Sequence, residues 1–135
     1  MSKSNFIFGV MLAAGLALPL AARADSVECE LRTFKASQVA PLRVQERVGR
    51  GTIEKLVGAQ VFVPAQKGLS GEWLRARVEE HVASMHGQGM AGCPLAVSGI
   101  QVAVASGGTG YWVQLQAKDS ETAEQVLQLA KRIVR

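Results

Sequence analysis

Two helical stripes separated by a β-hairpin constrain the fold of this chain more than any other feature of its sequence. The first stripe lies within residues 70–86 and the second follows residue 119, each repeating apolar side chains at helical spacing. Their members are Leu74, Val78, Val82 and Met85 in the first helix, and Ala123, Val126, Leu127, Ala130, Ile133 and Val134 in the second. Between them, two alternating runs flank the glycine-rich loop 106–110, which predicts a β-hairpin.

Local signals mark where both helices begin. Ser70 is a candidate N-cap, and Leu69 and Leu74 on either side of it form a hydrophobic staple. Gly87 is the expected stop of the first helix. Either Asp119 or the serine after it caps the second helix.

The chain before Ser70 is less clearly patterned. Residues 27–34 alternate apolar and polar side chains, which predicts a half-buried strand. Residues 35–51 keep only a loose alternation, so an edge strand there stays open. Residues 52–63 are rich in β-branched side chains and predict a strand with a bulge or bend at Gly58, the alternative being a short helix over 52–57.

The order of these elements predicts the fold class. A β-β-α-β-β-α chain closes most simply as a two-layer α+β sandwich, with a mostly antiparallel sheet and both helices on one face. The β-α-β-β-α run resembles part of the ferredoxin-like arrangement, with an early strand completing the sheet. This resemblance concerns element order and implies nothing about function.

The N-terminus has the pattern of a secretory signal. Lys3 precedes the apolar run 6–20, and Ala22 and Ala24 supply small residues around a cut before Asp25. We therefore predict that residues 1–24 are cleaved and that residues 25–135 form one exported domain, periplasmic or secreted. A membrane anchor is disfavoured because the apolar run is shorter than the roughly 20 residues of a spanning helix.

The charge balance argues against nucleic acid as a partner. Without Lys3 and Arg23, 13 basic residues face 11 acidic ones, and no basic block is interleaved with aromatics. No second long apolar run follows the signal, so we expect no stable membrane insertion after cleavage. The expected partner is instead an unknown protein or a metal ion.

Cys29 and Cys93 are the only two cysteines, and in an oxidising compartment they most simply form one disulfide. Closing the 63 intervening residues would stabilise the fold by roughly 3–4 kcal/mol in the chain-entropy model. The alternative is that Cys93 is a free thiolate and serves as a metal ligand.

Soft and imidazole side chains gather where the first helix ends. His81, Met85, His86 and Met90 fall within ten residues and include both histidines of the chain. Thioether and imidazole ligands together suit Cu(I), and imidazole alone suits Cu(II) or Zn(II), so copper is the metal this set would favour. The competing interpretation needs no metal, because Met85 lies on the core stripe and His81 at its edge.

Catalysis has little support in the sequence. Neither a Gly-x-Ser-x-Gly nor a His-Glu-x-x-His motif is present, and the disulfide would remove both thiols as nucleophiles. The loop 106–110 joins two strands, whereas a phosphate loop opens a helix. Trp73 and Trp112 are candidates for an aromatic contact patch, with Tyr111 on the opposite face of its strand from Trp112.

We therefore expect a small exported binding protein without enzymatic activity. In its most specific form, the hypothesis is that this protein binds copper or another soft metal through the histidine and methionine cluster. No other cofactor is implied. The alternative is an interaction module, such as an inhibitor, immunity or accessory protein, that docks on another exported protein through a sheet edge or aromatic positions. The second version needs an exposed apolar patch or an unpaired strand edge.

Overall fold

A four-stranded antiparallel sheet is the centre of the computed structural model, which describes residues 29–85 and 92–134. The elements in chain order are α1 (Glu30–Thr33), β1 (Gln38–Val48), β2 (Gly51–Pro64), α2 (Gly71–Ser84), a 3₁₀ turn (Pro94–Ala96), β3 (Gln101–Ser106), β4 (Gly110–Gln116) and α3 (Ser120–Ile133). The strands are ordered β1-β2-β4-β3. The early strand β1 thus completes the sheet beside β2, and the expected α+β sandwich is confirmed.

The core lies between one face of the sheet and the helices α2 and α3. Side chains of β2 and β4 on this face are fully buried, as are those on the inner stripes of both helices. The fully buried members are Ala59, Val61, Val63, Leu74, Val78, Val113, Leu115, Ala123, Val126 and Ala130. Because both helical stripes join the same cluster, α2 and α3 cover the same face, which we call the covered face.

The predicted caps begin both long helices. The Ser70 side chain accepts a hydrogen bond from the Trp73 backbone N–H at 3.2 Å. The Asp119 carboxylate accepts one from the Thr122 N–H at 2.7 Å, so Asp119 is the cap of α3. Each bond satisfies a donor that the first helical turn leaves without a partner. Helix α2 ends at Ser84, and the expected stop at Gly87 lies outside the described residues.

The strand predicted over residues 27–34 is wrong where the structure describes it. Glu30–Thr33 is a helical turn that follows Cys29. Leu31 and Phe34 are both buried, and their three-residue spacing brings them to one side of a helical turn. Over so short a run, alternation and helical spacing fit the same residues, so the sequence pattern did not discriminate between them.

Residues 38–64 form one long hairpin that settles the open question about the segment 35–51. Strand β1 is an edge strand, and Gly49 has φ 60° at the first central position of the two-residue turn. The register skips Val57, since Leu42 faces Gly58 whereas the next residue of β1 faces Leu56. The predicted bulge is therefore present one residue before Gly58, and the alternative helix over 52–57 is wrong.

Gly58 has a separate structural reason. A Cβ at this position would overlap the carbonyl of Leu115 on the neighbouring strand β4. A residue without a side chain is what lets the two backbones approach here.

None of the helices in the described parts of the chain has the length and hydropathy needed to cross a membrane.

Candidate functional site

The first candidate region is the C-terminal end of α2, where the sequence gathers its soft ligands. His81 and Met85 occupy successive turns, with 8% and 7% of their surfaces exposed. The Met85 N–H donates to the His81 carbonyl at 3.1 Å, which closes the helix. Met85 thus lies in the core, as its place on the stripe indicates. His81 is buried as well and is not a boundary residue.

The two ring nitrogens of His81 have different surroundings. Its Nδ1 lies 3.9 Å from a carboxylate oxygen of Glu30, beyond hydrogen-bond distance. Its Nε2 is buried and has no hydrogen-bond partner within residues 29–85 and 92–134. A buried polar atom without a partner costs free energy, so this nitrogen marks a place where a ligand would be stabilising.

The other predicted ligands cannot be placed beside His81. His86 and Met90 belong to residues 86–91, which lie outside the described residues. Within the described ranges, no three His, Cys, Asp or Glu side chains come together to hold a metal ion. The four-residue site stays a prediction.

Cys29 and Cys93 form the expected disulfide. Their Cα atoms are 5.4 Å apart, and both residues are buried in the core cluster. The bond joins the start of α1 to the start of the 3₁₀ turn. No thiolate remains there for a metal, so the alternative role for Cys93 is wrong.

An ionic cluster that the sequence reasoning missed lies beside the disulfide. Arg77 donates to Glu30 at 3.2 Å and to Glu80 at 3.1 Å, and its guanidinium lies 5.9 Å from the centre of the Trp73 ring. Trp73 in turn meets Phe34 edge to face at 5.7 Å. These contacts join α1 to α2 through partly exposed groups. A strand over residues 27–34 gives no reason to place Glu30 beside α2, so its contact with Arg77 was not predicted.

The second candidate region is the face of the sheet opposite the helices, which we call the open face. Register and side-chain alternation assign its members. They are Gln38, Ala40 and Leu42 of β1, Gly58, Gln60 and Phe62 of β2, Trp112, Gln114 and Gln116 of β4, and Gln101, Ala103 and Ala105 of β3. None of these residues carries an ionisable side chain.

An aromatic pair lies on the two central strands, at the end of the open face beside the β3–β4 turn. The rings of Phe62 and Trp112 are 5.1 Å apart, and both side chains are half-buried. Gly107 lies beside them, and a Cβ there would be 2.7 Å from Trp112 Cδ1. Tyr111 points to the covered face and reaches the Leu69 carbonyl at 3.4 Å. The expected opposite orientations of residues 111 and 112 are therefore confirmed.

Trp73 and Trp112 do not form one patch. Trp73 belongs to the helical layer and contacts Phe34, whereas Trp112 contacts Phe62 on the other side of the sheet. The structure thus has two aromatic pairs on opposite layers, because one tryptophan is carried by α2 and the other by an outward position of β4.

The open face continues into a two-stranded extension, which we call the arm: residues 43–48 of β1 and 51–56 of β2. Strand β4 pairs with β2 only from Gly58 onward, so no third strand among residues 29–85 and 92–134 pairs with the arm. Val44, Val48 and Ile53 are 43%, 54% and 52% exposed. Two strands alone are marginally stable in water, and apolar side chains this exposed bury little area that would hold the arm together.

The bulge decides where Ile53 points. A one-residue change of register moves every following side chain of a strand to the other face. Because β2 carries the extra residue Val57, Ile53 lies opposite Glu46 and between Val44 and Val48 along β1. All three apolar side chains therefore extend the open face. In the sequence, Val44 and Val48 belong to the loose alternation that left residues 35–51 undecided, and Ile53 belongs to the β-branched run predicted as a strand over residues 52–63.

No family model, curated protein or solved structure matches this chain. Function is therefore inferred from the residues and surfaces themselves.

The two sides of the arm differ in charge. Arg43 and Arg47 point to the side opposite the apolar residues, and Arg50 lies in the turn. On the apolar side, Lys55 and Glu46 neutralise each other at 3.6 Å. The arm together with its turn is basic, since it carries four cationic side chains and two glutamates.

Proposed function

We propose that this chain is an exported binding protein without enzymatic activity that docks on another exported protein through the open face and the arm. The observation that carries the proposal is that one side of the sheet leaves apolar side chains uncovered at both of its ends, Phe62 and Trp112 at one and Val44, Val48 and Ile53 of the arm at the other, with uncharged residues between them. Protein interfaces are depleted of charge at their centre and enriched in aromatic side chains, and the open face has both properties.

Charge indicates the kind of partner. Arg43 and Arg47 lie on the reverse side of the arm and Arg50 lies in its turn, so the arm carries positive charge close to its apolar side chains. A partner with an acidic surface beside its apolar contact area would complement this charge, which would speed association. A second copy of the chain would instead bring two basic arms together. The secretory pattern of residues 1–24 and the buried disulfide support export as the place of this interaction.

Site-specific photo-crosslinking tests the proposal. A photoreactive amino acid replaces Val48 in the exported protein in its source cells, and the same residue replaces Lys131 on α3 as the control. We expect one discrete adduct from position 48 and none from position 131. Mass spectrometry then identifies the partner, which is purified for titration.

The titration supplies the decisive measurement. We expect Val44→Ser with Ile53→Ser to weaken binding of the purified partner at least about tenfold, as expected when apolar anchors are lost from an interface centre. Trp73→Ser, which removes a side chain of similar exposure from α2, should leave the affinity unchanged. Equal affinity for all variants would overturn the proposal, and an adduct formed only with a second copy would assign the surface to self-association.

Soft-metal binding is the second candidate function. The buried Nε2 of His81, without a partner among the described residues, and the thioether of Met85 one turn later support it. His86 and Met90 would complete a ligand set suited to copper. The test is titration of the purified protein with Cu(I), Cu(II) and Zn(II), repeated on His81→Ala with His86→Ala, with circular dichroism to verify folding. Uptake no greater than that of an unrelated protein of similar size would exclude it.

A further inference from the structure

Strand β3 is the other edge of the sheet, and it runs beside α2. Two cavities lie between them. The larger, of about 450 Å³, is lined by Glu79, Val82, Ala83, Ile100, Gln101 and Val102. The smaller, of about 260 Å³, is lined by Gly71, Glu72, Arg75, Val104, Ser106 and Tyr111. We call the two together the α2–β3 groove.

The backbone of β3 offers hydrogen bonds to this groove. The Gly107 N–H donates to the Gly110 carbonyl at 2.8 Å, which makes them a hydrogen-bonded pair at the end of the β3–β4 ladder. Hydrogen-bonded pairs alternate along an antiparallel ladder, so Ala103 and Ala105 also bond to β4. The N–H and C=O groups of Val102 and Val104 consequently point away from the sheet.

The same two residues line the two cavities, one each. Side chains two residues apart in a strand are separated by roughly 6.8 Å and point to the same face. An extended peptide paired antiparallel with β3 would therefore place one side chain in each cavity, opposite Val102 and Val104. The residue between them would point to the open-face side.

We infer that the α2–β3 groove binds an extended peptide by strand addition, with apolar side chains at two positions separated by one residue. Main-chain bonds to Val102 and Val104 would supply affinity, and the cavities would supply sequence preference. This inference is independent of the docking proposed for the open face, because the groove lies on the helical side of the sheet.

Charge adds a further requirement on the peptide. Arg75 bonds to Glu79 at 2.9 Å, which neutralises both. Glu72 forms no ion pair within the described parts of the chain and lines the smaller cavity. In an antiparallel peptide the first apolar residue lies opposite Val104 and therefore nearest Glu72. A lysine or arginine two positions before it would point to the same face and complement this carboxylate. We therefore commit to a peptide with the pattern basic-x-apolar-x-apolar.

The probe is a displayed library of random seven-residue peptides, selected on the purified full-length secreted protein. We expect the selected peptides to share the basic-x-apolar-x-apolar pattern. Ala83→Phe, which places a ring in the larger cavity from an exposed helix position, should reduce their affinity at least about tenfold. Gln125→Phe adds the same ring at an exposed position of α3 and should change nothing.

Backbone methylation of one selected peptide tests the strand pairing itself. Amides that face β3 alternate with amides that face solvent, so N-methyl groups at successive positions should weaken binding alternately, by about five- to tenfold at each facing position. A groove that recognised side chains alone would not give this alternation. Glu72→Gln should lower the affinity for the lysine-bearing peptides by a few fold.

Several outcomes would refute the inference. They are a selection that returns no peptide, affinities unchanged by Ala83→Phe in a variant that circular dichroism finds folded, or methylation losses that do not alternate. A dimer that becomes monomeric on Ala83→Phe would assign the groove to a second copy. Because Val44→Ser with Ile53→Ser leaves the groove intact, peptide binding by that variant distinguishes failure of this inference from failure of the open-face proposal.

Discussion

On the covered face of the sheet, Val61, Val113 and Leu115 are completely buried beneath α2 and α3, whereas on the open face Phe62 and Trp112 keep part of their surface in water. The same strands supply both sets, since neighbouring residues of a strand point to opposite faces. The covered face lowers the free energy of folding by removing apolar area from water. The open face leaves such area exposed, and the docking proposed for this chain is based on that difference.

Loss of the disulfide should produce the largest change in stability. Cys29→Ser with Cys93→Ser releases a constraint across 64 residues at the edge of the covered layer. We expect a loss of roughly 3–4 kcal/mol in the free energy of unfolding, from chain entropy. Urea titration of the double variant and the parent measures it. A loss below about 1 kcal/mol would mean that the helical layer holds without the cross-link.

A core truncation compares the two faces directly. Leu115→Ala removes a fully buried side chain from the covered face and should cost about 3 kcal/mol, within the usual range for leucine cores. Gln114→Ala, the preceding residue on the open face, should change stability by less than about 0.5 kcal/mol. The two variants are unfolded in parallel with urea. Similar losses would contradict the division between the faces.

The arm should tolerate the loss of its apolar side chains. Val44→Ser with Ile53→Ser removes exposed methyl groups, so we expect a stability change below about 1 kcal/mol, of the size of strand propensity. Thermal melting checks this, with Val61→Ser on the covered face as the control that should unfold at a clearly lower temperature. Unfolding of the arm variant at room temperature would show that the arm packs against the domain.

The smallest effect concerns the cap of α3 and depends on pH. Hydrogen bonds from the backbone and side chain of Thr122 lower the pKa of the Asp119 carboxyl below its ordinary value. Such a group contributes stability above its unfolded pKa of about 3.9, and the contribution is lost as pH falls through the lower folded pKa. We expect the difference in Tm between the parent and Asp119→Asn to shrink between about pH 6 and about pH 2. A difference that widened on acidification would contradict this.

Much of the fold could be predicted because its signals are local. The stripes of α2 and α3 repeat over several turns, and Ser70 and Asp119 begin the helices through bonds to residues three positions away. The hairpin β3–β4 follows from alternation around glycines. The turn at Glu30 was predicted wrongly because four residues are too few to separate the periods, and its packing comes from partners far along the chain.

The candidate sites likewise combine residues that the sequence identified with features that only packing and strand pairing decide. His81 and Met85 were named from their chemistry, but only packing decided that both are buried. The arm was predicted only in part: residues 52–56 belong to the strand predicted over 52–63, whereas residues 43–48 stayed undecided because their alternation is loose. The direction of Ile53 depends on the bulge at Val57, which a strand acquires through pairing with its neighbour.

The sequence by itself thus determined the two long helices, the β3–β4 hairpin, the caps and the identity of the disulfide pair, because these follow from periodicity, from neighbouring residues and from there being two cysteines. Only the tertiary structure decided which side chains share a face, which strand edges stay unpaired and which residues line the α2–β3 groove. The physical reason is that burial and strand register join residues that are distant in the chain. No local pattern contains that information.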